Sequence, residues 1–251
     1  MRTAGWWISA MVCGALACKG SSSVERTATV QGPPLVLPDS MAPPSPPVEA
    51  RFVDVSPAAP QTIAGRTCDE VFVDVVRGAV KANDVDLAIG DVLVVRGGVS
   101  MVGDGTAVVA VAHVAPCEPS QWHEGHVVVR AGAAADLSFL GGSMHAHLDL
   151  DDRGTAPTLY MGRLSGTAGV PEHDHAASWE VLCAVEASGT FTVAGQERRL
   201  APRTCVSIPP ATKHSWRPDP GANLVAVQMY SPAGPEQRFK KLAADDAARD
   251  R

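Results

Sequence analysis

Aromatic residues are scarce in this chain, at 5% of its 251 positions, and charged residues reach only 19%. With 23 Gly and 20 Pro beside 45% hydrophobic residues, the composition fits many short strands joined by turns better than a helical bundle. It is also too apolar for a chain disordered throughout. Basic residues are few: 21 Lys and Arg face 27 Asp and Glu, for a net charge of -6. That balance offers no phosphate-neutralising surface, so nucleic acid is not an expected partner. Six cysteines are too few for a disulfide scaffold, and any bridge supplements a hydrophobic core.

The first apolar run, Ala4 to Ala17, follows a lone charge at Arg2. About 14 residues at a helical rise cannot cross a hydrocarbon core of roughly 30 Å, so residues 1–17 read as a signal peptide. The next residues, Ala15-Leu16-Ala17-Cys18, resemble the lipobox of bacterial lipoproteins, which implies diacylation of Cys18. Ala15 stands where that pattern has Leu, and an ordinary secretory signal cleaved after Ala17 is the alternative. Either reading exports the protein to the bacterial cell envelope, lipid-anchored or periplasmic. Lys19 in place of Asp after the cysteine directs such a lipoprotein to the outer membrane, by the same resemblance. Residues 18–50 hold Gly20-Ser21-Ser22-Ser23 and seven of the 20 prolines, a composition that cannot fold and serves as a tether.

Beyond Arg51 the chain becomes short alternating apolar runs broken by Gly, Pro and Asp. Glu70 to Gly78 followed by Leu87 to Val95 is similar in pattern to Glu180 to Gly189 followed by Leu200 to Pro209. Both have an acidic residue opening a strand, a Gly hairpin, and an apolar strand after Leu-Ala. This predicts an internal duplication offset by about 110 residues. The divisions expected are a first half over 51–118, a linker over 119–125, a second half over 126–240 and a tail over 241–251.

The second half resembles the cupin superfamily, antiparallel β-barrels marked by two short motifs around a metal. The first motif, G-x5-H-x-H-x3,4-E-x6-G, appears here as Gly169-Val-Pro-Glu-His173-Asp-His175-Ala-Ala-Ser-Trp-Glu180, with three residues in place of five after its first glycine and its last glycine late, at Gly189. The second, G-x5-P-x-G-x2-H, keeps Pro209 and His214 but has Arg203 and Ala211 in place of its glycines. The resemblance implies an all-β protein of two cupin-like barrels, a bicupin, with a degenerate first barrel. It also implies one divalent transition metal, Mn, Fe, Co, Ni, Cu or Zn, held by His173, His175, Glu180 and His214. Strand alternation supports that set, since His173 and His175 share a face; Glu180 joins them if Ala176-Ala177-Ser178 turns and resets the parity.

Aligning Glu70 with Glu180 puts Ile63 and Gly65 at the places of His173 and His175, and Met101 at that of His214, so the first half is expected to hold no metal. A second His-x-His, His145 and His147, has no accompanying Glu and reads as a solvated strand face; His113, His123 and His126 read as incidental. Tyr160, Trp216 and Gln228 flank the motifs and are candidate substrate-pocket residues, with core packing as the alternative. Cys68 with Cys117 and Cys183 with Cys205 is the most economical pairing, against four buried thiols. The functions open at this point are an exported metalloenzyme of oxygenase or isomerase type acting on a small molecule, and a module that binds a small ligand, sugar or metal without turnover. A structural role, with the barrels pairing as a homodimer, is the third.

Overall fold

A computed structural model describes residues 48–113, 126–150 and 159–249. The signal segment, Cys18, most of the tether, the 119–125 linker, Cys117 and His123 lie outside the described residues. The first half holds β1 (Val48–Val55), β2 (Gln61–Ile63), β3 (Glu70–Ala82), β4 (Val85–Ala88), β5 (Val92–Arg96), β6 (Val99–Ala112) and β7 (His126–Val129). They form one seven-stranded sheet in the order β1-β6-β3-β5-β7, with β2 on β6 and β4 on β3. The second half continues with β8 (Ala135–Phe139), β9 (Met144–Leu150), β10 (Tyr160–Gly166), β11 (Val170–His173), β12 (Trp179–Glu186) and β13 (Gly189–Val193). After them come β14 (Gln196–Leu200), β15 (Thr204–Ile208), β16 (His214–Pro218), β17 (Leu224–Ser231) and the helix α1 (Gln237–Arg249). Here a six-stranded sheet, β15-β12-β17-β10-β9-β8, faces a four-stranded one, β11-β16-β13-β14.

Strand pairing divides the halves differently from the sequence pattern. β7 bonds antiparallel to β5, Val92 opposite Val129, so residues 126–129 edge the first sheet. At the other end β1 starts at Val48, inside the stretch read as tether, because its residues extend the β6 ladder to Ala112. A helix begins at Gln237, before the stretch read as tail, and buries Phe239.

Alternation distributes the valines of the first sheet to two cores. Val71, Val73, Val75, Leu93, Val95, Ala107 and Val109 point inward, with Ile63 and Met101, into a solid apolar interior. Their neighbours Phe72, Val92, Val94, Val108 and Ala110 point outward, where they pack with Met161, Val181, Cys183, Val227 and Met229 of the second half. Each such burial contributes about 1.5–3 kcal/mol. Ile63 and Met101, which the sequence aligned with metal ligands, are therefore core residues, 4% and 1% exposed.

Glu70 is not the counterpart of Glu180. Period two puts Glu70 on the Phe72 side of β3, in the layer between the halves, whereas the neighbours of Glu180 in that layer are Val181 and Cys183. The residue one earlier, Asp69, has the inward parity, and it is tied up by the Arg66 backbone and guanidinium at 2.8–3.1 Å. The sequence alignment was one residue out of register, which in a strand exchanges the two faces.

A buried charge pair lies in the layer between the halves. Asp74 of β3 is fully buried and accepts hydrogen bonds from the guanidinium of Arg163 on β10. Burial opposes the charge of Arg163, and the Asp74 carboxylate outweighs it, raising the Arg163 pKa above its ordinary value. Arg163→Ala would leave the Asp74 carboxylate without its partner in an apolar layer. The expected cost is about 3–5 kcal/mol in urea unfolding; a loss under 1 kcal/mol would show that the pair does not clamp the halves.

Candidate metal centre

His173 ends β11 and sits directly opposite His214, the first residue of β16, in the antiparallel ladder. Their rings are 4.1 Å apart between centroids. His175 stands two residues beyond the end of β11, and a bend at Ala176 and Ala177 returns the chain to β12, where Glu180 points inward. The Ala211 amide donates to the His175 carbonyl at 2.8 Å, fastening that bend to the loop before β16. Ligand atoms of His173, His175, Glu180 and His214 all lie within 4.8 Å of one another.

Backbone carbonyls set the imidazoles. His173 Nδ1 donates to the Pro171 carbonyl and His214 Nδ1 to the Thr212 carbonyl, both at 2.8 Å, which leaves the Nε2 lone pairs facing the centre. Glu180 Oε2 is 3.0 Å from His175 Nε2 and 2.9 Å from His214 Nε2. His214 Nε2 is buried and, despite that short distance, has no hydrogen bond of good geometry. A lone pair facing a carboxylate oxygen is repulsive unless a cation lies between or next to them. The His214 pKa reflects this: burial lowers it, but the facing Glu180 carboxylate prevails and raises it. Burial likewise opposes the charge on Glu180, and the neighbouring His175 and His214 imidazoles reverse the effect, holding the carboxyl below its usual range. Three imidazole nitrogens and one carboxylate oxygen suit a borderline divalent metal. Such an ion would supply Lewis-acid polarisation of a bound group.

Gln228 of β17 donates to Glu180 Oε1 at 2.7 Å, so one carboxylate oxygen is fixed while the other faces the histidines. Gln228 and Trp216 line a cavity of about 270 Å³ that also includes His173, Glu180 and His214. Tyr160 is absent from that lining; its ring is buried against Tyr230, 5.5 Å between centroids. The Tyr230 ring in turn makes an edge contact with His175 at 5.0 Å.

Sequence reasoning missed Arg238. It is the second residue of α1 and places a guanidinium nitrogen 3.0 Å from His173 Nε2. Burial first, then the Arg238 charge, lowers the His173 pKa to about 4. The helix lies after the second motif, at the end of the second half and into the stretch read as tail, and nothing in its spacing marks a residue that folds back over a barrel mouth.

The two missing motif glycines kept their conformation. Arg203 and Ala211 have φ of 63° and 55°, the left-handed region that favours glycine. Hydrogen bonds hold both: the Arg203 amide donates to the Ala184 carbonyl at 2.7 Å, and the Ala211 amide to His175. Gly189 is retained because a Cβ there would collide with the Trp216 ring.

Cys183 and Cys205 form a disulfide across the β12–β15 ladder, and Cys68 is disulfide-bonded as well. His145 and His147 share a half-exposed face of β9, 3.8 and 3.5 Å from Asp136. The described residues contain one group of three or more potential ligands, the one above.

No protein-family model and no curated protein sequence matches the chain. Among solved structures, an IolB-like protein from Salmonella typhimurium LT2 is similar, with a TM-score of 0.60 at 14% identity, over 75% of this chain and 84% of that one. An oxalate decarboxylase gives 0.57 at 9% identity, over 74% and 69%. Salicylate 1,2-dioxygenase from Pseudaminobacter salicylatoxidans gives 0.54 at 13% identity, over 78% and 74%. This chain has the all-β cupin fold. At these identities the likeness concerns the fold alone.

If Gln228 orients Glu180, Gln228→Leu should weaken zinc binding about 10–100-fold in a chelator-competition titration while the β-sheet circular dichroism is unchanged. Affinity within twofold of the parent would mean that the carboxylate is held in place without it.

Proposed function

We propose that the protein binds one divalent transition metal through His173, His175, Glu180 and His214 and uses it to hold a small molecule in the adjoining cavity. The carrying observation is the convergence of four ligand atoms within 4.8 Å, three of the four residues lining a concave, largely apolar space. Cavities of this kind, with few polar groups at one end, are the usual form of small-ligand sites. The metal is Mn, Fe, Co, Ni, Cu or Zn by donor type.

Beyond the ligand residues, the ionisable side chains lining the cavity are Glu172, which is exposed and paired with Lys213, and Arg238, whose guanidinium offers donors and no acceptor. Neither is suited to act as a general base, which favours ligand capture or purely metal-centred chemistry over proton-transfer catalysis. Any turnover would then be of the oxygenase or isomerase type, with the ion as the reactive group. Elemental analysis of natively purified full-length protein should find about one transition-metal ion per chain. His175→Ala should lose it without losing the fold, because the barrel core does not pass through the ligand. Stoichiometric metal at unchanged affinity in that variant would refute the site.

The proposal includes an address. The short apolar run, Cys18 and the Pro-rich segment support an exported protein anchored by acyl chains in the bacterial envelope. Cys18→Ala should move the protein from the membrane to the soluble fraction on cell fractionation. Undiminished membrane association would exclude lipidation as the anchor.

A further inference from the structure

The surroundings of the proposed metal centre narrow the ligand it takes. Helix α1 closes one side of the cavity, with Arg238, Phe239 and Leu242 all in its lining. The helix is docked by a Phe139–Phe239 stack, 5.5 Å between ring centroids, and by Asp246, which accepts from the Gly141 amide at 2.7 Å. Arg238 is thus presented to the cavity by a fixed element. Among the described residues it has no carboxylate partner; its contacts are His173 Nε2 at 3.0 Å and the face of Phe239.

The contact with His173 cannot coexist with metal ligation. Nδ1 of His173 already donates to Pro171, so Nε2 has one lone pair, which either accepts from Arg238 or binds an ion. Metal loading therefore frees a guanidinium next to the ion. Charge points the same way, since Glu180 is the one anionic ligand and a divalent ion exceeds it; Arg238 adds a further positive charge. A second donor is unpaired as well: the Trp216 indole nitrogen is buried without an acceptor, and Trp216 lines the cavity. The rest of the wall, including Phe139, Met144, Leu164 and Phe191, is apolar.

We infer that the cavity takes a small monocarboxylate with an apolar body, its carboxylate bound between the metal and Arg238, and that α1 is the element selecting it. The inference rests on the metal-binding reading above. The cavity, at about 270 Å³, is near the lower end of small-ligand sites, which suits a ligand of that size. A guanidinium pairs with a carboxylate through two parallel hydrogen bonds, which an amide of the same shape cannot reproduce. Metal and carboxylate should bind with positive coupling, because the ion removes the competing acceptor of Arg238.

The test is calorimetric titration of the full chain with benzoate, hexanoate and their uncharged amides, with and without saturating zinc. The zinc-loaded protein should bind one of the acids at least tenfold more tightly than its amide, and more tightly than the metal-free protein does. Arg238→Gln should abolish the acid preference with zinc stoichiometry unchanged, and Arg238→Lys should restore part of it. Equal affinity for acid and amide, no binding of either acid, or an Arg238→Gln affinity within twofold of the parent would overturn the inference. Failure to bind zinc would defeat the metal reading separately. The metal-free titrations then decide the role of Arg238: an acid preference lost in Arg238→Gln upholds it, and its absence overturns it.

Discussion

The apolar layer between the two sheets is the constraint on which the rest of the molecule depends. Phe72, Val92, Val94 and Val108 on one side meet Met161, Val181, Val227 and Met229 on the other. Because side chains alternate, fixing one face of β12 and β17 in that layer fixes what the other face can do. Val181 and Met229 point toward the first half, so Glu180 and Gln228 point into the second barrel. The centre is thereby placed from outside, by residues that never touch it. A slip of one residue in β12 would turn Glu180 into the apolar layer and a valine into the metal site.

Within the second barrel the difficulty is charge at low dielectric. Four polar ligand groups crowd a space walled by phenylalanine, leucine and methionine. Backbone carbonyls of Pro171 and Thr212 lock two tautomers, and Gln228 locks one carboxylate oxygen, so little freedom remains to be lost when a cation arrives. Such preorganisation has a cost, as the orphaned His214 Nε2 shows.

Much of this was legible in the sequence where chemistry and period coincide. The His173, His175, Glu180 and His214 spacing points to a cluster because each residue type is costly to bury alone. The parity reset between His175 and Glu180 follows from counting. Two kinds of information were not legible. The register of the first half was misjudged because Asp69-Glu70 offers two adjacent acids, and only packing tells which one faces inward. Partners distant in the chain were missed altogether: β7 pairs with β5, and Arg238 reaches His173 across 65 residues. Local pattern contains no sign of either, since both depend on where the second barrel lies in space. Arg203 and Ala211 show the converse, for their turns survive without glycine where long-range hydrogen bonds hold them.

The crossing of β7 into the first sheet has a consequence for how the molecule comes apart. Neither half is a self-sufficient piece: separating them strips an edge strand from one and uncovers a valine-rich wall on both. Arg203 reinforces the join by bonding Asp54, 149 residues away, at 2.7 and 3.1 Å. Denaturation should therefore proceed as a single cooperative transition, with no long-lived half-folded species. A gene fragment encoding one barrel alone would yield an aggregating product, because its exposed wall would seek any other apolar surface. The two halves are thus mutually dependent, each covering the apolar wall of the other.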